Sequence, residues 1–553
     1  MNDRFATHDV SNQVPPLSDV NLYASDSALA DAVTREGGTA SARSLNAFGL
    51  TAGSAAVQDL ARDANTSLPR LETHDRHGRR LDTIAYHPAY HELMRLSSAE
   101  GLGNSVWAHL APSVGAEKPA AHVARAAGLY LAAQMEPGHC CPLTMTNAAV
   151  PVIVQNETLA RDWLPGILSR SYDPRFAPAA DKSAVTIGMG MTEKQGGSDV
   201  RANTTVATRG ADGLYRLKGH KWFLSAPMSD AFLVLAQAEG GLSCFLLPRF
   251  LPDGSVNGLR LQRLKDKLGN RSNASSEVEF HDAGCWLIGE EGRGVATIVE
   301  MLTYCRLDCA VSSAGLMRSA VAHAVHHAEH RHVGGRPLAG EPLMQQVLAD
   351  LTLDVEAAVA LSFRLARSFD RARDPRAAAW RRLMTPVTKY WVCKIAPTLV
   401  AEAMECLGGN GYVEDWPLAR LYREVPVNAI WEGSGNVLAL DVLRVLQREP
   451  DVAALVTEEL RGACAGDPVL VAAFARLETV LYEPRMLDGR ARQLVEALAK
   501  LAAATILRAQ APAAISDAFI ATRIAGTARQ TYGQGLDRAD LKAILARSTP
   551  NRG

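Results

Sequence analysis

The sequence lacks an excess of charge of either sign: 58 Lys and Arg stand against 59 Asp and Glu, which gives a net charge of −1. A chain this balanced is not a polycation, so any contact with nucleic acid must come from a local basic patch. No run of about 18 apolar residues occurs, which predicts that no helix spans a membrane. The first residues lack a basic segment followed by an apolar one, so no signal peptide is expected.

Cysteine pairs at metal-binding spacing are also missing, although the chain has nine cysteines. Their odd number and scattered positions favour reduced thiols in a cytoplasmic compartment over a disulfide framework. Five histidines between positions 323 and 332 form i,i+4 pairs of the kind that can hold zinc. No third ligand type converges on them, and Arg331 lies among them. We therefore predict a solvated, weakly basic helix face there and no metal site.

The length of 553 residues exceeds one hydrophobic core and predicts three or four domains. Short alternating apolar runs at 214–217, 231–236, 244–247 and 277–280, separated by turn residues, indicate a central β domain. The flanking sequence has helical periodicity, so the fold class is mainly α around that domain. The predicted segments are an N-terminal arm (1–45), a helical domain (46–182), a β-barrel-like domain (183–292), a helical bundle (293–450) and a C-terminal helical extension (451–553).

The most informative stretch is Thr186–Thr205. Ile187, Met189 and Met191 alternate with Gly188 and Gly190, which is the period of a strand that something flat approaches closely. A Gly-rich turn follows, in which exposed main-chain groups and hydroxyls suit a planar ring with a phosphate tail. The alternative interpretation of this stretch is an ordinary hairpin loop with a Gly-Gly turn and no ligand.

This stretch resembles a signature of the acyl-CoA dehydrogenase flavoproteins, and within that family the branch associated with the bacterial adaptive response to alkylation. The resemblance extends over nearly the whole chain and includes Asn21–Asp26, Thr34–Gly37 and Asp266–Ser275. It implies an acyl-CoA dehydrogenase-like fold with an extra C-terminal helical domain, FAD between the β domain and the bundle, and a homotetramer. It also implies weak acyl-CoA dehydrogenation of the isovaleryl-CoA type and binding of double-stranded DNA during alkylation stress.

The resemblance assigns FAD contacts to three motifs and to Arg331, which in the family reaches the cofactor of a neighbouring subunit. Phe223 stands where the family commonly has Trp, and Gly334 stands where it has Phe, so FAD affinity is expected to be lower. Gly408 and Gly409 do not follow a strand, which excludes a Rossmann interpretation. The cofactor-binding residues that the resemblance implies are Met191, Thr192, Gly197, Ser198, Phe223, Leu224, Ser225, Arg331, Gln345, Gly408, Gly409, Ile430, Trp431, Gly433, Ser434 and Asn436.

Glu432 follows Trp431 in the motif where the family carries its catalytic base. Removal of a weakly acidic proton α to a thioester requires a desolvated carboxylate, which is more basic than one in water. The alternative is a carboxylate near a helix N-terminus, stabilised by the helix dipole. Arg306 matches a family arginine near the CoA or acyl region, but its acidic partner is replaced by Thr303. That replacement brings ordinary acyl-CoA binding into question.

The C-terminal extension has thirteen Lys and Arg against ten Asp and Glu in residues 452–553. The candidate phosphate contacts are Arg485, Arg490, Arg492, Lys500 and Arg508. A solvated helical face with Arg–Glu pairs is the alternative. Three hypotheses therefore remain: a flavin-bearing DNA-binding protein with residual dehydrogenase chemistry, an ordinary acyl-CoA dehydrogenase whose extension only oligomerises, and a non-catalytic scaffold that keeps FAD for stability.

Overall fold

A computed structural model of the chain describes residues 7–111, 119–481, 487–526, 531–532, 534, 536 and 539–550. The predicted fold class is confirmed: long helices surround one central β domain. Within these described residues, no helix combines the length and the apolar composition needed to cross a membrane.

The N-terminal region is helical, with one β hairpin that the sequence interpretation did not predict. Its elements are α1 (Ser27–Arg35), α2 (Ala42–Ala52), α3 (Ala55–Thr66), β1 (Arg70–His74), β2 (Arg80–Ala85), α4 (Pro88–Ala99), α5 (Ala121–Met135), α6 (Cys140–Ile153) and α7 (Glu157–Ile167). The predicted arm at 1–45 is therefore too long, because it contains α1 and the start of α2. Asp26 caps α1 by accepting from the Leu29 N–H, and Tyr130 of α5 donates to the same carboxylate at 2.7 Å.

The β domain contains β3 (Ile187–Gly190), β4 (Val206–Arg209), β5 (Tyr215–Ser225), β6 (Ala231–Ala238), β7 (Gly241–Pro248), β8 (Leu259–Leu264) and β9 (Ser275–Ile288). The four alternating runs predicted from the sequence all fall in these strands. The pairings β4–β5, β5–β9, β9–β7, β7–β6 and β6–β4 close a small barrel around an apolar core. Strand β3 adds to β6 in parallel. Its two glycines are buried against barrel side chains, because a Cβ at Gly188 would meet Phe232 and one at Gly190 would meet Leu224. The flat group that approaches this strand is therefore the Phe232 ring, and not a ligand on an open surface.

The bundle follows as α8 (Gly294–His330), a hairpin of β10 (His332–Val333) and β11 (Arg336–Pro337), α9 (Pro342–Asp370), α10 (Pro375–Glu405), α11 (Gly409–Tyr412), α12 (Pro417–Asn428) and α13 (Gly435–Arg448). Helices α8, α9 and α10 pack against one another along their apolar faces. The extension consists of α14 (Pro450–Cys464), α15 (Pro468–Leu481), α16 (Leu487–Gln510), α17 (Ala513–Phe519) and α18 (Leu541–Ala546), and α16 packs on α9, α10 and α13. The extension therefore shares one apolar core with the bundle.

Candidate active site

The turn between α12 and α13 carries Glu432 in an uncommon backbone conformation. Glu432 has φ of +58° and Gly433 has φ of +106°, and the left-handed region is unfavourable for a residue with a Cβ. Two buried cations hold the turn from neighbouring helices. Lys389 of α10 donates to the carbonyls of Trp431 and Gly433 at 2.8 and 2.7 Å, and Arg306 of α8 donates to the Glu432 carbonyl at 2.9 Å. Three charge-assisted hydrogen bonds thus offset the strain and fix the position of the Glu432 side chain.

The Glu432 carboxylate is partly withdrawn from solvent. Although the residue as a whole is only half-buried, its Oε2 atom is buried and has no hydrogen-bond partner in the described part of the chain. Burial raises the pKa of Glu432, and the charges of Lys389 and Arg306 oppose that rise. A dipole-stabilised carboxylate would show a lowered pKa instead, so the geometry favours the predicted base role over the helix-terminus alternative.

Arg306 has an acidic partner that its neighbours in sequence did not reveal. Its guanidinium pairs with Asp441 of α13 at 2.7 Å, while Thr303 bonds only to the Val299 carbonyl one turn earlier. Asp441 also lies 3.4 Å from Arg382 and 3.3 Å from Arg444. The replacement of the family acid by Thr303 is therefore compensated from α13.

An open cleft of about 810 Å³ leads along this cluster between the β domain and the bundle. We call it the arginine cleft, because five arginines and only two carboxylates line it. Its charged lining residues are Arg201, Arg293, Arg306, Arg382, Arg444, Glu300 and Asp441. This excess of guanidinium groups suits a ligand with several negative charges.

The two β-domain motifs are joined by a buried ion pair. Lys221 of β5 donates to Glu193 at 2.7 Å, and both side chains are inaccessible to solvent. Burial raises the pKa of Glu193, but Lys221 and main-chain N–H groups of Thr204 and Thr205 outweigh it and hold that pKa at about 2. The Gly-rich turn after β3 is thereby fixed beside β5, the strand that carries Phe223 and Ser225.

One wall of the β domain, formed by the ends of β5 and β9 and the loop after β8, is polar. Ser225 and Ser275 pair across β5 and β9 with their Oγ atoms 3.3 Å apart, and Lys267 donates to Ser275 at 3.0 Å. Burial raises the pKa of the Cys141 thiol to about 12, with an opposing influence from Lys267 and a further rise from Glu432. Because Lys267 and Glu432 both act electrostatically on this thiol, the start of α6, the loop after β8 and the Glu432 turn lie near one another.

Two of the predicted cofactor residues leave apolar side chains accessible to a ligand. Phe223 is 48% exposed and Ile430 is 66% exposed. The Leu224 side chain is wholly buried in the barrel core, so only its main chain is available to a ligand. The remaining members lie at strand and helix ends close to these: Met191, Thr192, Gly197 and Ser198 after β3, and Trp431, Gly433, Ser434 and Asn436 in the turn that leads into α13.

Comparisons with known proteins decide the family. Three family descriptions match: "Adaptive response protein AidB N-terminal domain" over residues 12–174, "Acyl-CoA dehydrogenase, middle domain" over 188–283, and "Acyl-CoA dehydrogenase, C-terminal domain" over 292–447. AidB of Escherichia coli (strain K12) is 50% identical over 485 residues, which cover 88% of each chain. The chain belongs to the acyl-CoA dehydrogenase family.

Two further relatives come from Caenorhabditis elegans. Acyl-CoA dehydrogenase family member 11 is 35% identical over 420 residues, which cover 72% of this chain and 65% of that protein. The crystal structure of ACDH-11 in complex with C11-CoA superposes with a TM-score of 0.84 and 28% identity over 96% of both chains. The similarity to these acyl-CoA dehydrogenases therefore extends through the C-terminal extension.

Four of the predicted cofactor residues of this acyl-CoA dehydrogenase lie far from Glu432 within one chain. Arg331 follows Arg306 by 25 positions along α8, which corresponds to roughly 37 Å of helix. Gln345 at the start of α9, and Gly408 and Gly409 beyond the end of α10, belong to that same end of the bundle. Gly408 and Gly409 have open space where a Cβ would stand. The predicted cofactor residues of one chain thus fall into two separate groups, one near Glu432 and one at the far end of the bundle.

The β10–β11 hairpin explains why glycine replaces the family Phe at position 334. Gly334 and Gly335 have φ of +58° and +81° in a two-residue turn, and such turns require positive φ at both central positions. A phenylalanine would be strained there. The neighbouring Arg331 donates to the Asn12 carbonyl at 2.6 Å, so the N-terminal arm packs on its own α8.

The residues predicted to contact DNA do not form one uniform basic face. Lys500 pairs with Glu496 at 2.6 Å, and Arg508 pairs with Asp467 and Asp517 at 2.8 and 2.5 Å. Arg490 and Arg492 are exposed, and the Arg492 guanidinium lies against Gly435 at the start of α13. Arg485 lies outside the described residues.

The histidine-rich end of α8 differs from its prediction. His326 and His327 are buried rather than solvated, and burial lowers the pKa of His323 to about 3. The apolar packing of the bundle extends further along α8 than the polar sequence indicated. No group of three or more His, Cys, Asp or Glu side chains in the described ranges is arranged to hold a metal ion.

Sequence reasoning missed Lys389, Asp441 and Lys267, which hold or surround the site. Lys389 and Asp441 lie on helices 43 positions before and 9 positions after Glu432, where no motif signals them. Lys267 lies within the segment Asp266–Ser275 that carried the family resemblance, and a search for polar residues there would have found it.

Proposed function

We propose that this protein is an FAD-dependent acyl-CoA dehydrogenase in which Glu432 removes the α-proton of the acyl thioester. The observation that carries the proposal is the buried, unpartnered Oε2 atom of Glu432 on a turn that Lys389 and Arg306 hold rigid. A carboxylate with a raised pKa and no competing donor accepts a carbon-bound proton more readily than a hydrated one.

The reaction removes two hydrogens from adjacent carbons. The Glu432 carboxylate takes the α-hydrogen as a proton, and the electrons of that bond form the new double bond. FAD, when bound, supplies the acceptor for the hydride that leaves the β-carbon. The chain's own contribution is to fix the base, to exclude water around it and to hold the acyl group beside Glu432, while Ser225 would contact the bound flavin ring.

The arginine cleft is the proposed entry for the CoA part of the substrate. Its five guanidinium groups match the phosphates of CoA, and the C. elegans relative binds C11-CoA in a similar fold. A small branched acyl group of the isovaleryl-CoA type, turned over weakly, is the substrate we propose from the family branch.

The test is anaerobic mixing of the FAD-loaded protein with isovaleryl-CoA while the absorbance of the oxidised flavin is followed. We expect bleaching in the wild-type protein and none in Glu432→Gln, which keeps the size of the side chain but cannot accept the proton. Glu157→Gln on the exposed start of α7 is the matched control and should bleach as the wild type does. Equal bleaching rates in Glu432→Gln and the control would remove Glu432 from the mechanism.

We further propose a homotetramer in which Arg331 of one subunit completes the FAD site of another. The separation of roughly 37 Å between Arg306 and Arg331 along α8 supports this arrangement. Glu432→Gln and Arg331→Ala proteins should each be inactive alone. Assemblies that contain both subunits should regain activity, because some sites then hold neither substitution. Mixed assemblies without any recovery would contradict a shared site.

Binding of double-stranded DNA in the cytoplasm, as part of an alkylation response, is the second candidate function. Arg490 and Arg492 support it, since both are exposed on α16 and no carboxylate among the described residues pairs with them. The test is a DNA titration at several salt concentrations. Replacement of both by Ala should reduce the salt slope by about two, while Arg161→Ala on α7 should leave it unchanged. If the salt dependence of DNA binding were unchanged in the double variant, Arg490 and Arg492 would be excluded as phosphate contacts.

A further inference from the structure

The loop between β8 and β9 brings a lysine to the back of the proposed flavin site. Lys267 is largely buried, and its ammonium donates to the Asn273 carbonyl at 2.6 Å and to Ser275 Oγ at 3.0 Å, with a longer contact of 3.4 Å to Asn270. Asn270 is itself fixed because its N–H donates to Glu424 at 2.8 Å. Glu432 can accept a proton without this lysine. The position of Lys267 among several polar partners therefore indicates another role.

The hydrogen-bond chain from Lys267 has a defined direction. An ammonium group can only donate, so Ser275 Oγ must accept from Lys267. The Ser275 proton is then available for Ser225, whose Oγ lies 3.3 Å away. Ser225 in turn keeps its own proton for a ligand on the open side of β5. Each bond polarises the next, so the positive charge strengthens the donor at the end of the chain.

The surroundings keep this charge in place. Burial lowers the pKa of Lys267 to about 8, the carboxylates of Glu424 and Glu136 favour its charged form, and the Cys141 thiol, whose own pKa is raised, stays protonated beside it. These are the titratable groups that face it from α6, α12 and the end of α5. Lys267 therefore carries a positive charge at neutral pH in surroundings of low polarity, where electrostatic effects act over longer distances than in water.

We propose that Lys267 is a positioning residue that acts through Ser275 and Ser225 to make the bound flavin a better electron acceptor. This inference rests on the proposed function, in which Ser225 contacts the flavin ring. A donor hydrogen bond with positive charge behind it stabilises the electron-rich reduced ring more than the oxidised ring. The flavin gains negative charge on accepting the hydride, so the equilibrium shifts towards reduction.

The experiment measures the position of the flavin reduction equilibrium against a reference dye, with FAD added well above its dissociation constant. Lys267→Met and Ser275→Ala should each shift that equilibrium towards oxidised flavin by about tenfold. The double variant should show the same shift as either single variant, because both changes interrupt one chain. Lys267→Arg keeps the charge and the donor and should restore most of the wild-type equilibrium.

Lys218→Met removes an exposed charge from the same strand as Ser225 and is the matched control, with an unchanged equilibrium expected. A wild-type equilibrium in FAD-loaded Lys267→Met or Ser275→Ala would overturn the inference. Loss of FAD binding from both variants would overturn it as well, since Lys267 would then be a structural support. Failure of the proposed function looks different: the wild-type protein would hold no FAD, or Ser225→Ala would leave the spectrum of the bound flavin unchanged.

Discussion

Lys389→Met is the substitution for which the structure predicts the largest linked effect on stability and chemistry. The Lys389 side chain is inaccessible to solvent, and its ammonium forms the only two hydrogen bonds that the described residues offer to the carbonyls of Trp431 and Gly433. Methionine has a similar length but no donor. The variant therefore leaves both carbonyls unpaired inside the protein while the volume of the site is nearly preserved.

The magnitude follows from these two bonds. A hydrogen bond to a charged group contributes about 1.5–3 kcal/mol, so their loss costs about 3–6 kcal/mol. Relaxation of Glu432 out of its left-handed conformation returns about 1–2 kcal/mol of strain. We therefore expect a loss of about 1–5 kcal/mol in the free energy of unfolding, measured by urea denaturation of the FAD-loaded protein.

The same substitution changes the base. Lys389 is the larger of the two charges that oppose the rise in the pKa of Glu432, so its removal raises that pKa further. A smaller fraction of the protein then carries an ionised base at neutral pH. The acid-side fall in the rate of flavin bleaching should therefore move to higher pH than in the wild-type protein.

The control is Lys394→Met, which removes an exposed lysine from the same helix without touching either carbonyl. It should leave both the unfolding free energy and the pH profile near their wild-type values. If Lys389→Met matched this control in both measurements, the claim that Lys389 holds the Glu432 turn would be refuted. A loss of stability with an unchanged pH profile would refute only its electrostatic part.

Three other perturbations test the framework around the site. Arg125→Met breaks a bidentate ion pair with Asp308, in which both hydrogen bonds are 2.7 Å long and each side chain is 3% exposed. It should lower the free energy of unfolding by about 3–5 kcal/mol, because it leaves a buried carboxylate without its cation. Thermal unfolding measures this loss. Lys221→Met removes the partner of Glu193 and should lower the free energy of unfolding by a similar amount. It should also weaken FAD binding in a fluorescence titration. An FAD affinity equal to that of the wild-type protein would show that the ion pair does not hold the turn after β3 in its FAD-binding form. Between about pH 8 and pH 10.4, Lys267 binds fewer protons in the folded chain than in the unfolded chain. The free energy of unfolding should therefore rise with pH across that window, by at most about 3 kcal/mol. Lys267→Met should flatten this rise.

Local sequence patterns predicted the elements of this fold better than its long-range contacts. The alternating runs of the β domain follow from periodicity alone, because residues two positions apart in a strand face the same side. The mixed sequence around Ser27–Arg35 gave no such signal, and that helix is stabilised by contacts of Asp26 with Tyr130 and Arg318. Those partners are 104 and 292 positions away, so no local rule could identify them.

The candidate site shows the same division. The motif around Glu432 was visible in the sequence, but the groups that give the carboxylate its properties were not. Lys389 and Arg306 reach the turn from two other helices, and their roles depend on how α8 and α10 pack. Residue type and spacing can thus indicate where a base lies, whereas its pKa is decided by side chains that only the tertiary structure brings near.

The Thr303 position shows how a motif departure can mislead. Considered alone, the loss of an acid three residues before Arg306 implied a weakened CoA site. The structure instead supplies Asp441 from α13, and the pair is held at 2.7 Å with each side chain about one-tenth exposed. Because Asp441 also faces Arg382 and Arg444, it orients a group of guanidinium heads along the cleft rather than one. If the arginine cleft receives CoA as proposed, the acid comes from α13 instead of α8, and this altered geometry is a physical reason to expect a substrate preference different from that of relatives that keep the acid on α8.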